Sequence, residues 1–121
     1  MKIRLLVLSA MLALSGLSYG SEVYKNNVHV TYVGAMGDRI TDSQYANHTV
    51  VGLTDLSWLP SVCSGTDGVI ISSSNLPIIK VALMALETGK PVFARASNEK
   101  IGGYCKLTQL NVWANGSTIN L

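Results

Sequence analysis

The chain has 121 residues, 48% of them hydrophobic and 13% charged, with nine basic and seven acidic side chains and two cysteines. Lys2 and Arg4 fall within the first twenty positions, so residues 21–121 carry seven charges of each sign and are neutral. A neutral domain of about 100 residues offers no electrostatic footprint for nucleic acid and none for an anionic membrane surface, so neither is expected as a partner.

Residues 1–20 read MKIRLLVLSAMLALSGLSYG: a charged start at Lys2 and Arg4, an apolar run from Leu5 to Leu14, then small residues at Ser18 and Gly20. This is the layout of a secretory signal peptide cleaved after Gly20. The alternative is an uncleaved anchor, but the apolar run is short for a membrane span. The expectation is one exported domain, residues 21–121, passing through the periplasm before secretion, with no membrane insertion.

From Glu22 to Ala35 apolar and polar residues alternate, the period of a strand, with Asn26-Asn27 as a candidate turn between two strands. Residues 37–47, GDRITDSQYAN, read as a loop. Strand character returns in HTVVGLTDL with β-branched Thr49, Val50 and Val51. SWLPSVCSGTDG breaks it, since Pro60 stops ladder pairing and Asp67-Gly68 is a turn dipeptide. VIIS, 69–72, is a short apolar strand.

A helix follows. Ser74 or Asn75 can cap its first free N–H groups, Pro77 is tolerated in the first turn, and Gly89 with Pro91 ends it. Only Lys80 and Glu87 are charged from 76 to 88, and packing one face on a sheet would bury some eight apolar side chains. Lys80, Met84 and Glu87 share one stripe at i, i+4, i+7, the expected exposed line. Its flanks still carry Ile79, Leu83 and Leu86. A single thin sheet covers one face, and an exposed apolar flank marks an interface; self-association is therefore expected, the alternative being loops of the same chain wrapped over the helix.

PVFARAS, 91–97, reads as a strand, 98–103 as a loop with two adjacent glycines, and YCKLTQLNVWA, 104–114, as a last alternating strand. Cys63 and Cys105 are an even pair in an exported chain and are expected to form one disulfide. Two free buried thiols are the alternative. The fold class is α+β, mostly β: a small OB-like antiparallel barrel with one central helix, because curling the sheet limits exposed edges. A flat sheet carrying one helix is the other solution.

No nucleophile elbow and no phosphate-cradling glycine loop is present. The carboxylates are scattered, and His29 and His48 are not at metal spacing with the cysteines. No enzyme activity, cofactor or metal is expected. Binding remains. Aromatic faces pack against sugar C–H faces while nearby polar groups meet hydroxyls. The loop around Asp38, Arg39, Ser43 and Tyr45, with Tyr32 and Trp58, supplies both kinds of group. Trp58 could equally be a core aromatic.

The helix running through Thr88-Gly89-Lys90-Pro91-Val92 straight into a strand, with one cysteine before it and one after, resembles the B subunits of bacterial AB5 toxins, particularly the pertussis-like and subtilase-cytotoxin-like group. The resemblance spans roughly residues 50–113, and its specific part is the helix–turn–strand. It implies an OB-type barrel, five copies in a ring whose helices surround a central pore, binding of host cell-surface glycans, and a catalytic A subunit held in the pore. The Lys80, Met84 and Glu87 stripe would then face the pore. The sequence departs from the group in the strand after the helix, here VFARAS, and the group's sugar-binding serine has no counterpart in it. A small exported, disulfide-bonded accessory protein without a toxin partner is the alternative; a small periplasmic enzyme or inhibitor ranks below both.

Overall fold

A computed structural model describes residues 21–63 and 65–112. The expected leader at 1–20, Trp113 and the polar tail lie outside the described residues. Six strands and one helix follow in the order β1 (Glu22–Val28), β2 (Val30–Ala35), β3 (His48–Leu53), β4 (Gly68–Ser72), α1 (Leu76–Thr88), β5 (Val92–Ile101) and β6 (Tyr104–Val112), with short 3₁₀ turns at Ser43–Tyr45 and Ser61–Cys63. The protein is α+β and mostly β.

The strands form one sheet in the order β1-β5-β6-β4-β3-β2. Two features correct the expected antiparallel barrel. The ladder does not close, because β1 and β2 are both edges. The sheet is also mixed: β4 and β6 run parallel and share a single bridge, Ile70↔Lys106, while the other four pairs are antiparallel. A barrel-like curl is nonetheless forced by connectivity. Only His29 separates β1 from β2, so the Cα atoms of Val28 and Val30, on opposite edges, lie within about 7.6 Å of each other, two trans peptide steps. The His29 N–H donates to Thr54 Oγ1 and the Thr54 N–H to the His29 carbonyl, both at 3.0 Å, pinning this junction beyond the end of β3.

Asn26-Asn27 is not a turn between two paired strands. Asn27 takes a left-handed φ of 59° and sits at a register shift within β1, a bulge on the edge strand. The expected loop at 98–103 is also corrected. β5 runs on to Ile101, and only Gly102-Gly103 separates it from β6, a two-residue hairpin with Gly102 at φ 61°. Polar Asn98, Glu99 and Lys100 hid the strand because they are exposed, so no alternation marks them.

The inner face carries the core. Val28, Val51, Leu53, Val69, Ile71, Val92, Ala94, Ala96, Cys105 and Leu107 are buried together. The Cys63–Cys105 disulfide lies inside this cluster and ties the 3₁₀ turn before β4 to the start of β6. Outside it, Phe93 is also buried, stacked at 5.5 Å on Tyr24 with the Arg95 guanidinium 5.6 Å from its centroid.

The helix begins and ends where local chemistry sets it. The Asn75 side chain accepts from the Ile78 N–H at 3.4 Å, Pro77 sits in the first turn, and Gly89 closes the helix at φ 70° with its N–H on the Ala85 carbonyl. It lies against β2 and β6. The seat is narrower than the sequence suggests: Ala82 and Ala85 are its fully buried residues, with Ile78, Ile79 and Val81 partly buried around them. Alanines let the helix approach the sheet closely, which turns the larger side chains outward. Leu76, Leu83, Met84 and Leu86 are 57%, 49%, 51% and 39% exposed. Lys80 and Glu87 are exposed beside them, and Ile79 is half-buried.

Candidate functional site

The outer face of β3 and β4 is also covered. Val50 and Ile70 are cross-strand partners and both are buried, although neither belongs to the main core. The loop between β2 and β3 lies over Val50. There Met36, Arg39, Tyr45, Val50 and Tyr104 line a cleft of about 220 Å³.

Glycines seat two of the tyrosines around it. The register shift between Val30 and Tyr32 re-aims β2, so Val30 points into the core while Tyr32 pairs with Gly52 on the outer face. The Tyr32 ring lies on Gly52, where any Cβ would collide with it. It thereby reaches past β3, and its hydroxyl donates to Asp67 Oδ1 at 2.7 Å. The Tyr104 hydroxyl donates to the same oxygen at 3.2 Å. Tyr45 lies over Gly102 in the same manner, and its hydroxyl accepts the Gly103 N–H at 3.3 Å. Its ring meets Tyr104 edge-on, with centroids 6.0 Å apart. Arg39 sits 5.8 Å above the Tyr45 ring and pairs with Asp42 at 3.6 Å.

Burial, reinforced by the Asp67 carboxylate, pushes the Tyr32 phenol well above the ordinary tyrosine range. The Tyr104 phenol rises for the same reasons. Because folded values lie above unfolded ones, the cluster's stabilisation is complete below about pH 10, the unfolded tyrosine value, and falls as pH rises beyond it. Asp67→Asn is expected to bring both titrations down toward the ordinary range, read as phenolate absorbance against pH. Unchanged midpoints would show that Asp67 does not hold them.

The residues expected to meet a sugar are placed as follows. Arg39 and Tyr45 line the cleft, and Tyr32 joins it through Asp67 and Tyr104. Asp38 braces the loop by accepting from Asn47 Nδ2 at 3.1 Å, and exposed Ser43 opens the 3₁₀ turn, its carbonyl accepting the Ala46 N–H. Trp58 packs on the main core and donates its indole N–H to the Asp55 carbonyl at 2.6 Å. Tyr104, Asp67, Met36 and Val50 were not among the expected contacts. Tyr104 and the Asp67-Gly68 turn were visible in the sequence, but nothing local joins a turn to a tyrosine 37 residues away.

Two tyrosine rings and one guanidinium around the apolar Met36 and Val50 can pack against C–H faces and meet a hydroxyl. The volume, about 220 Å³, is below that of a site for an extended ligand. Among the described residues no group of three or more His, Cys, Asp or Glu is placed to hold a metal ion. Within the same residues no helix is long and apolar enough to cross a membrane. Comparisons with protein-family models, with curated proteins and with solved structures give no match.

Proposed function

We propose that the protein is a ring-forming, glycan-binding delivery subunit of an AB5-type toxin, assembling as a pentamer around the tail of a catalytic A subunit. The observation that carries this reading is the exposed apolar surface of α1. Lys80 and Glu87 form a charged line along the helix. Leu76, Leu83 and Leu86 lie on one side of it. An apolar flank of Leu76, Leu83 and Leu86 beside the stripe of Lys80, Met84 and Glu87 fits a head-to-tail contact, in which that flank of each copy meets a different surface of the next. Contacts of that kind close into rings when the rotation from one copy to the next divides a full turn, as the reading requires here. In such a ring Lys80 and Glu87 face the central channel, giving two rings of opposite charge. The Cys63–Cys105 disulfide supports the reading, since it fits an oxidising environment.

The tyrosine cleft is the proposed glycan site, with Tyr45 and Tyr104 as walls, Arg39 at the rim, and Asp67 with Tyr32 fixing Tyr104. Wild-type protein is expected to bind a subset of host-type glycans on an array. Tyr45→Ala is expected to weaken that binding about tenfold or more, as truncating an aromatic anchor does. Binding of no host glycan by wild type would leave the exported accessory protein as the better reading. Equal binding by Tyr45→Ala would place the sugar elsewhere.

A further inference from the structure

β1 is one edge of the sheet, and the residues from Glu22 to Asn27 on it are all exposed or half-buried. Its ladder with β5 shows which backbone groups are left over. The Asn98 N–H donates to the Ser21 carbonyl at 3.1 Å, and bonded pairs alternate along an antiparallel ladder. Val23 and Lys25 therefore bond to Ala96 and Ala94, while the N–H and C=O groups of Glu22 and Tyr24 point away from β5 to the open side. The bulge at Asn27 ends this stretch. Such an edge is a template for another strand.

The outer face beside this edge holds a guanidinium by its faces and not by its donors. Tyr24 pairs with Arg95 across the ladder, and Ala94 and Ala96 belong to the core, so Tyr24, Phe93 and Arg95 share the outer face. The Arg95 guanidinium lies 5.7 Å from the Tyr24 ring centroid and 5.6 Å from that of buried Phe93. Rings attract the cation but leave its N–H groups without oxygen partners. Among the described residues no hydrogen bond or ion pair reaches this guanidinium, and its Nε is buried without a partner. Glu22, the carboxylate two residues from Tyr24, accepts instead from the Thr108 hydroxyl at 2.7 Å. Asn26, two residues from Tyr24 in the other direction, buries Oδ1 without a partner as well. Buried polar groups are nearly always bonded, and both exceptions among the described residues lie on or beside this edge.

We propose that β1 is the docking edge for an extended acidic peptide of a partner protein, independently of the ring and glycan readings. The peptide bonds to the outward N–H and C=O groups of Glu22 and Tyr24, the strand-addition mode of recognition. Its residue opposite Tyr24 presents its side chain on the outer face, the face of Arg95. Two strand spacings, about 9.6 Å, separate that residue from Arg95, a gap that a glutamate and an arginine side chain span between them. The guanidinium fork takes the carboxylate through two parallel, charge-assisted hydrogen bonds. Backbone pairing supplies the docking, and Arg95 selects for acid.

The test uses short end-blocked peptides at one fixed ionic strength: one alternating valine and glutamate, its valine–glutamine counterpart, and the acidic peptide N-methylated on its glutamates. Each is titrated into wild type, Arg95→Gln and Arg95→Lys, and followed by the amide resonances of Glu22 and Tyr24. Expected is at least tenfold tighter binding of the acidic peptide than of the glutamine peptide by wild type, and no binding of the N-methylated one. Arg95→Gln loses the advantage and binds the glutamine peptide as before. Arg95→Lys keeps the charge beside the rings without the fork, so it serves where Arg95→Gln does not fold, and it too loses most of the advantage. Equal binding of the acidic and glutamine peptides by wild type, an advantage that survives either substitution, or undiminished binding of the N-methylated peptide overturns the proposal. A carboxylated oligosaccharide that shifts the same amides when no peptide does also overturns it, and gives the guanidinium to a sugar acid. No response to any probe overturns it as well.

Discussion

Leu83→Glu is expected to leave the protomer folded and to abolish its association. In a single copy Leu83 is half exposed, and it makes no part of the main core. A charge there costs the isolated fold little, within about 0.5 kcal/mol for an ordinary surface position. Glu87, one turn further along, adds like-charge repulsion of a few tenths of a kcal/mol. Against a neighbouring helix the outcome differs. A carboxylate desolvated without a partner costs several kcal/mol, and about 4 kcal/mol weakens an association roughly a thousandfold. The variant should therefore elute and weigh as one chain while keeping the far-ultraviolet spectrum of wild type. An unchanged mass would mean that the contact uses another face. Leu83→Met, similar in volume, should assemble normally and so separates loss of the interface from loss of the fold.

The second large effect concerns the disulfide. Replacing Cys63 and Cys105 together by alanine is expected to lower stability by about 4 kcal/mol, because the bridge removes closure entropy from a loop of about 43 residues in the unfolded chain. Domains of this size are stable by about 5–15 kcal/mol in total. The loss corresponds to a fall in melting temperature on the order of 15–30 °C. Both sulfurs lie in the core, Cys63 at 2% and Cys105 at 0% exposure, so alanine also leaves a small void there. Reduction of wild type should reproduce most of the effect without the void. A drop of less than about 1 kcal/mol by either route would show that the segment from Ser61 to Cys63 is held to β6 by packing rather than by the bridge.

The parts of the fold legible in the sequence are those with local causes. The cap at Asn75 and the left-handed stop at Gly89 each follow from what one side chain, or the lack of one, does to its own backbone. The disulfide followed from a count of two. What could not be read is what two distant segments settle between them. The bulge after Val30 sends Tyr32 to the outer face, and strict alternation would have kept it with Val30. β1 and β2 read as neighbours because they are consecutive, yet they lie on opposite edges of the sheet. The helix was expected to bury far more than it does, since composition cannot show that Ala82 and Ala85 are the residues it seats on the sheet.

The candidate site divides along the same line. Arg39 and Tyr45 were found because one polar loop carries both. Tyr104 and Asp67 complete the cluster from 37 residues apart, through a hydrogen bond that exists only once β4 and β6 lie side by side. Gly52 and Gly102 matter as the floors on which tyrosine rings rest, a role visible only when the ring is in place.

The claim that most of this account depends on is that the apolar surface of α1 is covered by other copies of the same chain. Native mass spectrometry of residues 21–121, at decreasing concentration, tests it directly. The account predicts a species of five chains that persists on dilution. A species of one chain at every concentration, with Leu83, Met84 and Leu86 left in water, would contradict it.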